Sequence, residues 1–111
     1  MKIGILGGTF NPIHIGHLIL AEEVREKLKL DKVIFVPTYL APHKDNADIA
    51  PAHARLAMIK LAIKGNRYFL ASDLEIKRDG RSYTIDTLKE FKRIYPQDEL
   101  YFIIGSDLLK Y

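Results

Sequence analysis

The chain has 111 residues, of which 48% are apolar and 28% are charged, with no cysteine and a formal net charge of +3. This length predicts one domain with a hydrophobic core, and the composition excludes a disordered chain and a disulfide scaffold. No segment approaches the ~20 apolar residues that span a bilayer, and the basic residues are mixed with acidic ones, so we expect a cytoplasmic protein that binds neither membrane nor nucleic acid.

Four apolar runs, rich in β-branched and aromatic residues, predict four strands. The runs are continuous rather than alternating, which is typical of parallel strands that are buried on both faces of a sheet. They cover residues 2–6, 33–36, 68–71 and 100–104.

Three segments between these runs carry apolar residues at spacings of three and four, and each predicts an amphipathic helix. They cover about residues 15–29, 51–64 and 84–95. The order β-α-β-α-β-α-β with short connections predicts an α/β fold, a doubly wound Rossmann-like parallel sheet, with residues 1–111 in a single domain.

Four connections leave the carboxyl ends of the predicted strands. They are the Gly7–Gly8 turn, the longer segments 37–50 and 72–83, and residues 105–107. Because open parallel sheets bind ligands at the carboxyl ends of their strands, we expect these connections to form one site at a single sheet edge.

The turn after the first strand carries the most chemistry, and it reads Gly-Gly-Thr-Phe-Asn-Pro-Ile-His-Ile-Gly-His from Gly7 to His17. Its glycines permit close backbone approach, and the start of the following helix offers unpaired N–H groups to an anion. His14 and His17 share one face at the helix start, Gly16 leaves space beside them, and two imidazoles there can donate to phosphate oxygens. The residues alone leave open that both histidines are simply capping or surface residues. Zinc is disfavoured because no cysteine or carboxylate stands at ligand spacing.

This turn closely resembles the G-x-F-x-P-x-H-x-G-H signature of the nucleotidyltransferase superfamily. Further motifs follow in the order of one branch, the bacterial nicotinate-nucleotide adenylyltransferases: Pro42-His43-Lys44, Arg55-x-x-Met58, Ser82-Tyr83-Thr84-x-Asp86-Thr87-Leu88 and Phe102-Ile103-Ile104-Gly105-x-Asp107. The resemblance implies that the chain transfers the adenylyl group of ATP to nicotinate mononucleotide, giving deamido-NAD and pyrophosphate.

The resemblance also implies roles for the matching residues. It makes His14, His17 and Lys44 catalytic, with the imidazoles on the ATP phosphates and Lys44 as a mobile positive charge. It assigns ATP binding to Gly7, Gly8, Thr9, Phe10, His14, Gly16, His17, Gly105 and Asp107. It assigns nicotinate mononucleotide binding to Gly8, Thr9, Phe10, Lys44, Tyr83 and Thr84. No residue is expected to hold a resident metal, since Mg²⁺ arrives with the phosphates of ATP. The oligomeric state is not indicated.

The family's second signature, an Ile-Ser-x-Thr-x-x-Arg stretch, does not occur in the sequence. We therefore expect a C-terminally incomplete domain whose fourth strand has an exposed edge. Two alternatives follow: a catalytically weak or inactive nucleotide-binding fragment, or an adenylyltransferase with another acceptor, such as nicotinamide mononucleotide. Arg55 is expected to brace a loop rather than to bind substrate.

Overall fold

The computed structural model of the chain describes residues 1–39, 49–78, 84–104 and 107–110. Strands and helices alternate along these ranges. The elements are β1 (Lys2–Gly8), α1 (Ile15–Leu28), β2 (Lys32–Pro37), α2 (Ala52–Ile63), β3 (Phe69–Ala71), α3 (Leu74–Arg78), α4 (Thr84–Ile94), β4 (Glu99–Ile104) and β5 (Asp107–Lys110).

The strands form one sheet in the order β3-β2-β1-β4-β5, with β1 at its centre. Strands β1 to β4 are parallel, as predicted, and β5 runs antiparallel to β4. β2 and β3 follow β1 in sequence and lie on one side of it in the sheet, whereas β4 lies on the other side of β1. The direction of winding therefore changes between β1 and β4, and the crevice outside their carboxyl ends is where such sheets bind ligands.

Alternate residues of the strands point to opposite faces, and helices cover both. On one face Leu6, Val33 and Phe35 pack with Ala21 of α1 and Ile59 of α2. On the other face the strand residues pack with Leu88 and Phe91 of α4, and with Leu74 of α3. The strand residues of that second face are Ile3, Ile5, Ile34, Val36, Leu100 and Phe102. This two-sided burial explains the continuous apolar runs and confirms the doubly wound fold.

Strand β5 corrects one expectation. It pairs with β4 from Tyr101 opposite Lys110 to Ile104 opposite Asp107, so the prediction that the fourth strand has an exposed edge was wrong. The strand has only four residues. β5 forms through its pairing with β4, and four residues are too few to show an apolar pattern that would predict a strand.

Two further details differ from the prediction. The short helix α3 occupies part of segment 72–83, which was predicted to be a loop, and its five residues are too few to show a periodic apolar face. Ile85 lies on the predicted apolar face of α4 but is 58% exposed, whereas Leu88 and Phe91 on the same helix are buried. In the parts of the chain that the structure describes, every helix is too short or too polar to cross a membrane.

Candidate functional site

The turn between β1 and α1 lies at the carboxyl edge of the sheet. The Thr38 N–H donates to the Gly8 carbonyl at 2.9 Å, which keeps the ends of β1 and β2 together. Phe10 follows with a left-handed φ of 50°, which is unfavourable for a residue other than glycine. The residue is buried, at 2% exposed. The Phe10 ring packs its edge against His17, with 4.9 Å between ring centroids. Burial of the Phe10 ring offsets the cost of its strained backbone, and the ring contact helps to hold the His17 imidazole in place.

The two histidines cap helix α1 through reciprocal hydrogen bonds. His14 is the N-cap residue, and its Nδ1 accepts from the Gly16 N–H at 3.1 Å. The His14 N–H donates in turn to Nδ1 of His17 at 3.0 Å. This is the arrangement of a capping box with imidazoles in place of the usual hydroxyl and carboxylate groups. The rings lie 3.8 Å apart between centroids and 31° from parallel, so the predicted shared face is confirmed.

The capping bonds fix the tautomer of both rings. A neutral imidazole has one donor and one acceptor nitrogen. Because both Nδ1 atoms accept backbone N–H bonds, the proton of each neutral ring lies on Nε2. Within the described residues, neither Nε2 has a hydrogen-bond partner. Capping and phosphate binding are therefore not competing roles, since Nδ1 serves the helix and Nε2–H is available to an anion.

Burial lowers the pKa of His17, and electrostatic repulsion between the His14 and His17 imidazoles lowers it further. His17 is thus expected to be neutral at pH 7, which matches its role as acceptor from the His14 N–H. In this form it donates through Nε2 only. The unpaired N–H groups at the start of α1 supply additional partial positive charge.

Gly16 is required by the packing of the His14 ring. A Cβ atom there would lie 2.9 Å from Cε1 and 3.0 Å from Nδ1 of His14, so the ring would have to move. A Cβ on Gly7 or Gly8 would instead meet a phenylalanine ring at 3.4 or 3.5 Å, which is ordinary contact. The protein's own described atoms do not demand glycine at these two positions. A glycine pair there permits close approach of a ligand to the backbone.

Arg55 on α2 holds three backbone segments together beneath the turn. Its Nε donates to the Ala50 carbonyl at 2.8 Å, and its Nη1 donates to the carbonyls of Thr9 at 2.8 Å and Thr38 at 2.9 Å. The side chain is buried, and desolvation lowers its pKa. The prediction that Arg55 braces a loop is confirmed. Which carbonyls it joins could not be predicted, because they are 5, 46 and 17 residues away in the sequence.

The remaining predicted site residues are only partly placed. Lys44, Tyr83 and Gly105 lie outside the described residues. Thr84 begins α4, and Asp107 begins β5 opposite Ile104, at the same sheet edge as Gly8. The structure describes only the backbone at these two positions, so the roles of all five stay predictions. No group of three or more His, Cys, Asp or Glu able to hold a metal occurs among the described residues.

Comparison with known proteins agrees with this geometry. Residues 5–111 match the cytidylyltransferase-like family. A protein from Pelobacter propionicus named "Probable nicotinate-nucleotide adenylyltransferase" is 56% identical over 96% of this chain and 50% of its own length. A Dehalococcoides mccartyi protein of the same name is 57% identical over 99% of this chain and 54% of its own.

A solved structure also has the same fold. It is described as a "Putative Nicotinate-nucleotide Adenylyltransferase" from Vibrio parahaemolyticus, and it superposes with a TM-score of 0.76 at 27% identity. The superposition covers 93% of this chain and 56% of that one. The resemblance carried by the motifs is thereby confirmed. The chain spans about half the length of the curated relatives it matches.

Proposed function

The chain belongs to the cytidylyltransferase-like family, and from that membership we propose that it transfers the adenylyl group of ATP to nicotinate mononucleotide. The products are deamido-NAD and pyrophosphate. The names of the relatives support this choice of acceptor, as does the order of the motifs along the chain.

One observation carries the proposal: the paired imidazoles at the start of α1. Both Nδ1 atoms are used by the backbone, which leaves two Nε2–H donors on one face. They stand beside a glycine pair at the carboxyl edge of the sheet, next to the crevice between β1 and β4. Two fixed donors and a helix amino terminus are what a polyphosphate needs, and a neutral ligand gains little from them.

The reaction requires little more from the protein than placement and charge. A phosphate oxygen of the mononucleotide attacks the α-phosphorus of ATP, a new P–O bond forms, and the bond to the β-phosphate bridging oxygen breaks as pyrophosphate leaves. The attacking group is already an anion, so no covalent enzyme nucleophile is needed. Negative charge shifts onto the leaving pyrophosphate, and the Nε2–H groups of His14 and His17 stabilise it. Each such charge-assisted contact contributes about 1.5–3 kcal/mol.

Magnesium enters as part of the substrate. The family resemblance implies that the ATP phosphates carry Mg²⁺, and we expect the same here. In the same proposal Lys44 supplies a further positive charge from its segment, and Tyr83 and Thr84 lie at the nicotinate end. Gly105 and Asp107 then lie near the ribose or the adenine. The cytoplasmic location also stays a prediction.

The test is pyrophosphate release by this chain with Mg–ATP and each acceptor in turn. Release with nicotinate mononucleotide and not with nicotinamide mononucleotide or phosphopantetheine is the expected result. Release with a different acceptor would refute the substrate assignment but keep adenylyl transfer. Absence of release from a folded chain that binds Mg–ATP would leave a nucleotide-binding module in place of an enzyme.

A further inference from the structure

Arg55 is a buried cation whose partners are all neutral. Its side chain is 1% exposed, and among the described residues it has no carboxylate partner. Three carbonyls satisfy it instead, and they come from the turn after β1, the end of β2 and the segment before α2. Burying a guanidinium without a counter-charge is costly, so this position is a poor choice for stability alone.

We propose that Arg55 and Asn11 are positioning residues that set the geometry of the phosphate-binding turn. The inference rests on the proposed function, because it concerns the same site. Neither residue is assigned to contact the nucleotide. Both act through the backbone of residues 9–14, on which the two imidazoles and their Nε2–H donors are mounted.

Arg55 sets the direction of one peptide group in this turn. The carbonyl of Thr9 points to its Nη1 at 2.8 Å. Because a trans peptide is planar, with C=O and N–H on opposite sides, the Phe10 N–H is directed away from Arg55. That N–H has no backbone partner in the described part of the chain. Arg55 therefore fixes the orientation of the peptide group between Thr9 and Phe10.

Asn11 ties the same turn to Ala50, which lies just before α2. Its Oδ1 accepts from the Ala50 N–H at 3.0 Å, while the Ala50 carbonyl accepts from Nε of Arg55 at 2.8 Å. Both backbone groups of Ala50 are thus tied to one network. The network therefore holds the turn at a fixed separation from the start of α2.

Asn11→Leu and Arg55→Lys test this proposal, with Asn66→Leu as the matched control. Asn66 Oδ1 accepts from the Tyr68 N–H at 2.9 Å, so the control removes a similar hydrogen bond. Asn66 lies just before β3, at the amino ends of the parallel strands and away from the candidate site. Arg55→Lys keeps the charge and loses the planar fork that reaches three carbonyls. All variants are compared with the wild-type chain at a temperature where each is folded by circular dichroism.

The first measurement is the Kd for Mg–ATP by calorimetry. We expect Asn11→Leu and Arg55→Lys to raise it about tenfold or more, since small displacements of positioned groups are costly. Asn66→Leu is expected to stay within about twofold of wild type despite a similar loss of stability. Wild-type affinity in both folded site variants would overturn the proposal and leave a purely structural role.

The second measurement is amide hydrogen exchange in the absence of nucleotide at Gly16, whose N–H donates to Nδ1 of His14, and at Ala50, whose N–H donates to Asn11. Faster exchange in Asn11→Leu, with no change in Asn66→Leu, supports the positioning network. A wild-type chain that binds no Mg–ATP would refute the proposed function, and the exchange data alone would then decide. Unchanged exchange in Asn11→Leu and Arg55→Lys would overturn the positioning role in either case.

Discussion

Replacing His14 with asparagine is expected to separate the two roles of this residue. In both side chains the acceptor is bonded to Cγ, so Oδ1 of asparagine can take the place of Nδ1 and accept from the Gly16 N–H. The Nε2–H donor is lost. His14→Ala removes both groups. The pair of variants therefore distinguishes the cap from the phosphate contact.

The expected magnitudes follow from these two contacts. Loss of an N-cap side chain costs about 1 kcal/mol, which lowers the Tm of a domain of this size by about 4 °C. His14→Ala should show this loss, whereas asparagine is among the best N-cap residues and His14→Asn should stay within a few tenths of a kcal/mol of wild type. Loss of one charge-assisted phosphate contact, about 1.5–3 kcal/mol, corresponds to a fall of about 10- to 100-fold in pyrophosphate release for both variants.

Thermal unfolding and pyrophosphate release measure the two effects, with His53→Asn as the control, because His53 is an exposed histidine on α2 that no proposed role involves. A His14→Asn variant that is stable and retains wild-type release would show that Nε2 of His14 does not act on the phosphates. If His14→Asn is as unstable as His14→Ala, the capping argument is wrong instead.

Three further predictions concern the same turn and the packing of α4. Gly16→Ala should displace the His14 ring and weaken Mg–ATP binding by about tenfold, measured by calorimetry, while its better helix propensity keeps the Tm from falling; a wild-type Kd would contradict the steric argument. Folding lowers the pKa of His17, so just below pH ~6.5 the unfolded chain binds more protons than the folded one. The urea midpoint of unfolding should therefore fall as the pH drops through that value, and it should level off below the folded-state pKa. His17→Gln keeps an acceptor at this position without titrating there, and an equally steep fall in that variant would exclude His17 as the cause. Thr87→Val removes the 2.7 Å hydrogen bond to buried Glu75 and should cost about 1–3 kcal/mol in urea unfolding, whereas Thr87→Ser, which keeps the hydroxyl, should cost less.

Much of the fold was predictable because its strands are buried on both sides. Two-sided burial makes each strand a continuous apolar run, and Pro37 and Pro96 mark where elements end. Spacing predicted the three longer helices, α1, α2 and α4, and their observed ends fall within one residue of the predicted ones. β5 and α3 were missed because each is too short to carry a period, and β5 exists through its pairing with β4.

The candidate site was predictable in its residues but not in its bonding. The spacing of His14 and His17 places them on one face, and the structure confirms it. Nδ1 of His14 accepts from the Gly16 N–H and Nδ1 of His17 accepts from the His14 N–H, which leaves Nε2 of both rings available. This bonding depends on the extended backbone at His14, which the spacing does not specify. Two of the three carbonyls that Arg55 joins, those of Thr9 and Thr38, are distant from it in sequence, and no local signal indicates such contacts.

The order of the strands has a consequence for how the chain folds. β1 pairs with β2, which follows it after one helix, and with β4, which lies near the other end of the chain. Contacts close in sequence form with a smaller loss of chain entropy, so β1, α1, β2 and α2 can assemble as a unit before β4 docks. Every described anchor of the turn, from Thr38 to Arg55, belongs to that early unit. Pulsed hydrogen exchange during refolding should protect the amide of Thr38 before the amides of β4, which means that the phosphate-binding turn takes shape while one side of the central strand is still open.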